Sequence, residues 1–495
     1  MRALALHSET SWSAVAWAIY LGWIAITLDA GALNLALPTI GNQLHADTGS
    51  ISWVIDAYTL PLASLLLLGG SLGDRIGAER MFRMGAIGFA VASVICALSP
   101  SLGLLIASRA AQGVSAALLL PMVLALVSKS FIDPTQRSRV VNMMTVFGGA
   151  GMAAGPFLGG LMTDTAGWRA VFWLTAPIAV AAAILVGKMP AKTAGKPHRV
   201  QFDAVGQVTG SAGLIALVAG LVESGRDTSS AITLTLLVAG VTLLAAFILL
   251  ERQSHAPMMP MSVFRAPNFT AAVTGGFAFQ FAAYGLQFFL ALYVQGAWQL
   301  SALAGGMLLA SFAIGAVLAS VLVNPFLLPR GTHPMIIMGA SAATVGTFTL
   351  MAAGAADRWW LLAAAELVIG AGTGIYSTAL NKTASAALGA QSAGLASGIY
   401  NTARQVGQAV GIAVLGALSA LGDQSIGFLI AIILTACCNA AVAGTAVRSH
   451  MLERLGSTGK TSAAEWTDWT QRTSTLIDDT SLGSAPSTGD VTARA

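Results

Sequence analysis

Apolar runs of about 20 residues, separated by short polar connectors, follow one another along most of the chain. That length is what an α-helix needs to cross the ~30 Å hydrocarbon layer of a bilayer. The pattern predicts fourteen spans, at residues 14–36, 53–71, 81–98, 103–127, 140–163, 170–187, 204–222, 231–250, 269–295, 301–323, 335–356, 359–380, 396–420 and 426–447. The expected fold class is all-α and integral to the membrane. The longest internal linkers, Lys188–Phe202 and Glu251–Pro267, flank spans 7 and 8. From Arg448 the chain is rich in Ser, Thr, Gly and Asp, which predicts a mostly disordered extension.

Charge distribution gives the chain an orientation. With both termini cytoplasmic, 20 of the 25 Lys and Arg fall in inside segments and 3, Arg169, Arg226 and Arg358, fall outside. Arg109 and Arg404 lie within spans. The excess of cations inside supports the even number of spans, because one miscounted span would invert every later loop.

Composition narrows the function classes. Of 495 residues, 56% are hydrophobic and 9% charged, against about 25% charged in a soluble domain. A net charge of +4 without a basic domain gives no support to nucleic-acid binding. Cys96, Cys437 and Cys438 lie in apolar runs without metal-ligand or disulfide spacing. All six histidines fall outside the spans, which argues against an intramembrane haem. No metal and no cofactor is expected. The first apolar run is too long for a cleavable signal. Gly456–Thr461, GSTGKT, lacks the first glycine of a phosphate loop, since Arg454 stands there, and no strand precedes it.

Residues Gly69–Gly85, GGSLGDRIGAERMFRMG, join spans 2 and 3. Gly73 and Gly77 permit close backbone approach or positive φ. Asp74 can accept from helix N-terminal N–H groups or an Arg, and Arg75, Arg80 and Arg83 suit a cytoplasmic turn. A generic cationic loop explains the arginines but not the order of Gly70, Gly73, Asp74, Arg75 and Gly77. Gly70–Gly85 aligns without gaps on Asn324–Gly339, pairing Gly77 with Gly331, Met81 with Met335, Met84 with Met338 and Gly85 with Gly339. The chain is thus expected to contain two related halves around a central site.

Five ionisable residues lie within spans: Asp29, Asp56, Arg109, Glu366 and Arg404. Each costs about 2.5–3.5 kcal/mol at the bilayer centre, so function is the default reading. Asp29, Arg109 and Glu366 lie six or seven residues from the outer ends of their spans. They are expected in one polar layer roughly 10 Å below the outer surface. Burial favours a protonated carboxyl and a neighbouring guanidinium favours the carboxylate, so relative movement would load or release a proton. A static ion pair holding helices together is the competing reading. Asp56, three residues inside span 2, is expected to be interfacial and solvated, with a coupling or substrate role. Arg404 faces either the central space or the cytoplasmic contacts. Asn34, Gln280, Gln287, Tyr400 and Asn401 are candidate substrate contacts. The span 9 aromatics Phe277, Phe279, Phe281, Tyr284, Phe288, Phe289 and Tyr293 cannot all face one space and are expected mainly to face lipid or to pack. In span 5, Gly151, Gly155 and Gly159 leave one face bare for a neighbouring helix, and Pro156 permits a kink.

The Gly70–Gly77 order resembles the signature loop of the major facilitator superfamily. Arg109–Gly113, RAAQG, is similar to its fourth-span motif, and the GPxxGG ending of Gly151–Gly160 resembles its antiporter motif. Trp168–Arg169 and the span 13 segment resemble the fourteen-span drug:proton antiporter branch. The resemblance implies bundles at 1–187 and 269–447, a linker with an inserted helix pair at 188–268, and a cytoplasmic tail at 448–495. It implies a monomeric proton-coupled antiporter of a bacterial inner membrane that exports amphipathic, cationic drugs or antiseptics. Asp29, Asp56, Arg109 and Glu366 would couple protons. Gly73, Asp74, Arg75, Gly77, Gly151, Gly155 and Pro156 would serve conformational switching. Ala316, Tyr400, Asn401 and Gln405 stand where some quaternary-ammonium exporters of this branch carry acids, which argues against divalent cations. A dedicated exporter of one metabolite or self-made antibiotic is the alternative. A membrane-embedded sensor or enzyme lacks a catalytic constellation.

Overall fold

The computed structural model describes residues 2–46, 48–131, 133–187, 203–224, 230–254, 257, 259–356, 358–388, 393–419 and 424–456. The linker Lys188–Phe202, residues 457–495 of the expected disordered tail with all but Gly456 of GSTGKT, and His198 and His255 lie outside the described residues, as does the side chain of Asp74. The chain forms α1 (Arg2–Ala32), α2 (Leu37–Leu44), α3 (Thr48–Ile76), α4 (Ala78–Leu98), α5 (Leu102–Ser130), α6 (Pro134–Ala166) and α7 (Arg169–Gly187). It continues as α8 (Ala204–Ser224), α9 (Ala231–Gln253), α10 (Pro267–Gly296), α11 (Ala302–Leu318) and the short α12 (Asn324–Leu327). The last four are α13 (Thr332–Ala356), α14 (Trp359–Ala387), α15 (Ala393–Ser419) and α16 (Gln424–Gly456). Residues up to Ala446 form one compact unit, and Val447 onward forms a second, described only to Gly456.

Polar residues at the ends of the apolar runs start the helices. Ser101, Asp133, Ser230 and Ser301 accept hydrogen bonds from first-turn N–H groups of α5, α6, α9 and α11, each worth about 1 kcal/mol. Twelve helical segments among the described residues are long and apolar enough to cross a membrane. The expected fourteen are not all in that set. Helix α3 contributes only the shorter apolar stretch Ser50–Leu66, and α15 carries Asn401, Arg404, Gln405 and Gln408. Several helices also outrun their apolar runs. The first continues through a 3-10 turn at Leu33–Ala36 into α2, ending at His45 with φ 52°. The expected connector Gly69–Gly85 shrinks to Gly77 alone, because backbone hydrogen bonds carry α3 to Ile76 and restart α4 at Ala78.

The repeat reaches the backbone. Gly77 and Gly331 both take φ 103°, where any side chain is strained. Met81 and Met335 are both buried and Met84 and Met338 both exposed. A Cβ on Gly85 would press on α5 at Ser115 and Leu119, and one on Gly339 on α14 at Gly372 and Tyr376. The end of the molecule bearing Gly77 and Gly331 is called the connector end below, and the opposite one the far end.

One apolar core draws on α1 and α3–α7, a second mainly on α10, α11 and α13–α16. In lipid, apolar burial drives little association, and small residues that let backbones approach matter more. A Cβ on Gly155 would stand 2.9 Å from the Gly31 Cα, and one on Gly159 would strike the Ala32 carbonyl, so α6 lies tightly on α1. On its other side α6 packs against α11, where a Cβ on Gly160 would strike the Ala302 carbonyl and one on Gly306 that of Pro156. Helices α8 and α9 pair, and α8 covers the seam between α3 and α15 through Leu60, Ala63, Leu214, Val218, Ala409 and Ala413. The Gln207 side-chain amide donates to the Ser64 carbonyl there at 2.6 Å.

Candidate functional site

The polar groups of the first seven helices converge on Arg109. Its Nη1 lies 2.6 Å from Asp29 Oδ2 on α1 and 2.6 Å from Gln112 Oε1, and its Nε donates to the Val54 carbonyl at 2.9 Å. Gln112 Nε2 in turn donates to Asp29 Oδ1 at 3.0 Å and Ser93 Oγ at 2.9 Å. The Tyr58 ring lies 4.4 Å from the guanidinium carbon. Asp29 is 0% and Arg109 1% exposed. The sequence brings this about with a three-residue step on α5, which puts Arg109 and Gln112 on one face. Helix α1 approaches because α6 is bare where it crosses. A buried pair of this kind is held by its own attraction and its extra hydrogen bonds, and losing one partner strands a buried charge at about 3–5 kcal/mol.

Glu366 is fully buried on α14 and is not joined to Arg109. It accepts from Gln287 Nε2 of α10, and its Oε1 has no partner among the described residues. The expected polar layer is therefore two separate sites. Their relation is nonetheless exact in register. A Cβ on Gly113 would strike the Tyr58 backbone, and one on Gly370 the Phe312 backbone. Tyr58 and Phe312 occupy the same position of the repeat, and Arg109 and Glu366 each precede the seated glycine by four residues. The two halves carry a cation and an acid at equivalent places.

Asp56 corrects the expectation of a solvated interfacial carboxylate. It is 0% exposed, and neither oxygen has a hydrogen-bond partner among the described residues. Helix α3 begins at Thr48, five residues before the apolar run, so Asp56 lies more than two turns inside. Its neighbours on the same helix face, Trp53 and Leu60, pack into the seam beneath α8. Asn34 is buried in the 3-10 turn at Leu33–Ala36. Gln280 on α10 and Tyr400 and Asn401 on α15 lie on two helices that pack together. Gln280 Nε2 donates to Gln408 Oε1 at 3.1 Å, and Asn401 Oδ1 accepts from Arg404 Nη1 at 3.2 Å. Arg404 thus belongs to the α10–α15 group. Of the α10 aromatics, Phe279, Phe281, Phe288 and Phe289 are buried and the other three partly so, so they pack rather than face lipid.

At the far end an apolar cluster draws Leu33, Ile40, Ile51 and Ile55 together with Phe288 and Ile412. Asp164 Oδ2, at the end of α6, accepts the Leu303 N–H of α11 at 2.8 Å. Trp168 Nε1 donates to Gln43 Oε1 at 2.9 Å and Arg169 Nη2 to the Ser99 carbonyl at 2.9 Å, so this pair ties far-end turns together. A cavity of about 380 Å³ opens beside the cluster, between Asn42, Ile51, Phe289 and Tyr293. Among the expected switch residues, Gly73 leaves room for the Met122 side chain, Gly77 takes the strained backbone, and Arg75 is exposed in the last turn of α3. A Cβ on Gly151 would strike Thr27 of α1. Pro156 withholds the N–H that the Met152 carbonyl would accept, and that carbonyl faces the bare Gly31.

Residues 19–412 match the Major Facilitator Superfamily. The chain belongs to this superfamily. It is 33% identical to the puromycin resistance protein of Streptomyces alboniger, over 80% of this chain and 79% of that one. It is 32% identical to the methylenomycin A resistance protein of Bacillus subtilis, over 80% and 85%. It is 31% identical to the tetracenomycin C resistance and export protein of Streptomyces glaucescens, over 82% and 76%. The fold is that of a solved POT family transporter bound to a thioalcohol-conjugated peptide, with TM-score 0.65, 14% identity, and 88% and 96% of the chains covered. This major facilitator is a membrane transporter for small molecules and not an enzyme. Sequence reasoning missed Gln112, Tyr58 and Gln408 in its polar groups. The signal for Gln112 was its helical spacing from Arg109, and for Gln408 its one-turn spacing from Arg404.

Proposed function

We propose that this major facilitator is a proton-coupled antiporter exporting amphipathic small molecules of the drug and antiseptic kind. The observation that carries the reading is the sealed Asp29–Arg109 pair, whose partners sit on different helices. Resistance and export relatives support the direction of transport. In this reading the fourteen spans form bundles at 1–187 and 269–447, with the pair α8–α9 inserted between them. The connector end and both termini are cytoplasmic, by the distribution of Lys and Arg. In this reading the apolar cluster and the Asp164 contact hold the periplasmic end together. Protonation of Asp29 from outside and its release inside would drive the exchange, with Gly77 and Gly331 as the turns that reorient. The cationic charge expected of the cargo is what the family resemblance implies; in the structure Asp29 is engaged by Arg109 and Glu366 accepts from Gln287.

Relatives named for single antibiotics favour, as a second reading, a dedicated exporter of one compound. Growth inhibition by puromycin and by unrelated dyes and antiseptics, with and without the gene, separates the two. Broad protection supports the first reading and protection against one compound the second. In proteoliposomes holding a pH gradient, adding a protective compound should release protons. Export without proton movement would refute the coupling.

A further inference from the structure

Among the described residues two arginines lie inside the bundle, and one of them has a carboxylate partner. Arg109 has its carboxylate, a glutamine and a carbonyl. Arg404 has Asn401 Oδ1 for one guanidinium nitrogen, no carboxylate among the described residues, and a buried Nε without a partner. It cannot reach water along the helix surface, because α15 begins at Ala393, about 16 Å away at 1.5 Å per residue. Arg404 is partly exposed, on a helix that packs against α10, α3, α8 and α14.

The surroundings fix the position of the guanidinium. The rings of Phe279 and Tyr400 lie 5.6 and 5.7 Å from the guanidinium carbon and hold it in place. Gly276 makes room for this, since a Cβ there would meet the Tyr400 ring and the Arg404 Cγ. Gln280, 1% exposed, has its side-chain donor engaged by Gln408 and leaves the guanidinium as the donor of this group. One turn on, the Tyr284 hydroxyl lies 3.8 Å from Met152 Sδ of α6, so this face of α10 looks across the molecule. We infer that Arg404 is the anchor for an acidic group of the exported compound, a carboxylate, phenolate or sulfonate. The planar guanidinium offers such a group paired hydrogen bonds. The inference rests on the reading of the chain as an exporter and gives its cargo a charge.

The test uses purified full-length protein in phosphatidylcholine nanodiscs and two xanthene dyes of opposite charge, fluorescein and pyronin Y, with binding read by fluorescence polarisation. Wild type should bind fluorescein saturably. Arg404→Gln should weaken that binding by about tenfold or more, and Arg404→Lys by less, since it keeps the charge but not the fork. Pyronin Y affinity should stay within about twofold in both variants, which a merely structural role would not produce. No fluorescein binding by wild type, unchanged binding in Arg404→Gln, or equal loss of both dyes would overturn the inference. So would loss of fluorescein binding when phosphatidylglycerol replaces part of the lipid, which would assign the arginine to a headgroup. Proton-linked export of pyronin Y, read in parallel in proteoliposomes, without fluorescein binding would sink the acidic cargo and leave the exporter standing. Fluorescein binding without any proton-linked export would do the reverse.

Discussion

Asp56 and Asp29 are both carboxylates sealed from water, and they differ in what they cost. Asp29 is met by Arg109 and Gln112, whereas Asp56 has no partner among the described residues. Replacing Asp56 by Leu removes a buried polar group without a partner among the described residues and roughly keeps the shape. It should raise stability by about 1–3 kcal/mol while impairing export, measured as the melting midpoint in detergent beside vesicle transport. Lowered stability with intact transport would contradict a functional role for the residue. The sequence made these acids visible because a charge in an apolar run stands out. It could not say which were paired, since pairing depends on how α1, α5, α10 and α14 cross. Asp56 was misplaced because helix α3 begins before its apolar run does, and hydropathy does not see that extra turn.

At the scale of elements, the connectors between α3 and α4 and before α13 carry the repeat. Gly77 and Gly331 share a backbone conformation that costs a side chain about 1–3 kcal/mol. Gly77→Ala should therefore slow exchange by about tenfold while leaving equilibrium binding of a transported compound near normal. Weakened binding at a normal exchange rate would argue against a switching role. Asp74→Asn should act in the same direction. On α6, Gly155→Leu should abolish both assembly and export, because even a Cβ would stand 2.9 Å from the Gly31 Cα; a folded, active variant would contradict the close packing. The bare face of α6 was legible from its four-residue glycine spacing, and so was the equivalence of the two connectors. The equivalence of Arg109 and Glu366 was not, because the halves drift by three residues between the connectors and the following helices.

For the whole molecule, the far-end closure makes a geometric prediction. A cysteine pair at Asp164→Cys and Leu303→Cys, in a background lacking the native cysteines, should cross-link spontaneously and block export until reduced, read by gel mobility and vesicle transport. Failure to cross-link, or cross-linking that leaves export intact, would contradict closure of this end as a step in the cycle. The membrane class and the succession of helices could be read directly from the apolar runs, and the orientation proposed here rests on the same sequence. Closure could not, because Ile55, Phe288 and Ile412 look like any other apolar residue until helices from both halves meet. The central claim is that export is driven by proton exchange at Asp29. It is tested most directly in everted vesicles with an imposed pH gradient, comparing wild type with Asp29→Asn at matched protein levels. The account predicts that the variant, present in normal amount, shows no gradient-driven accumulation of a transported compound. Accumulation equal to wild type would contradict it.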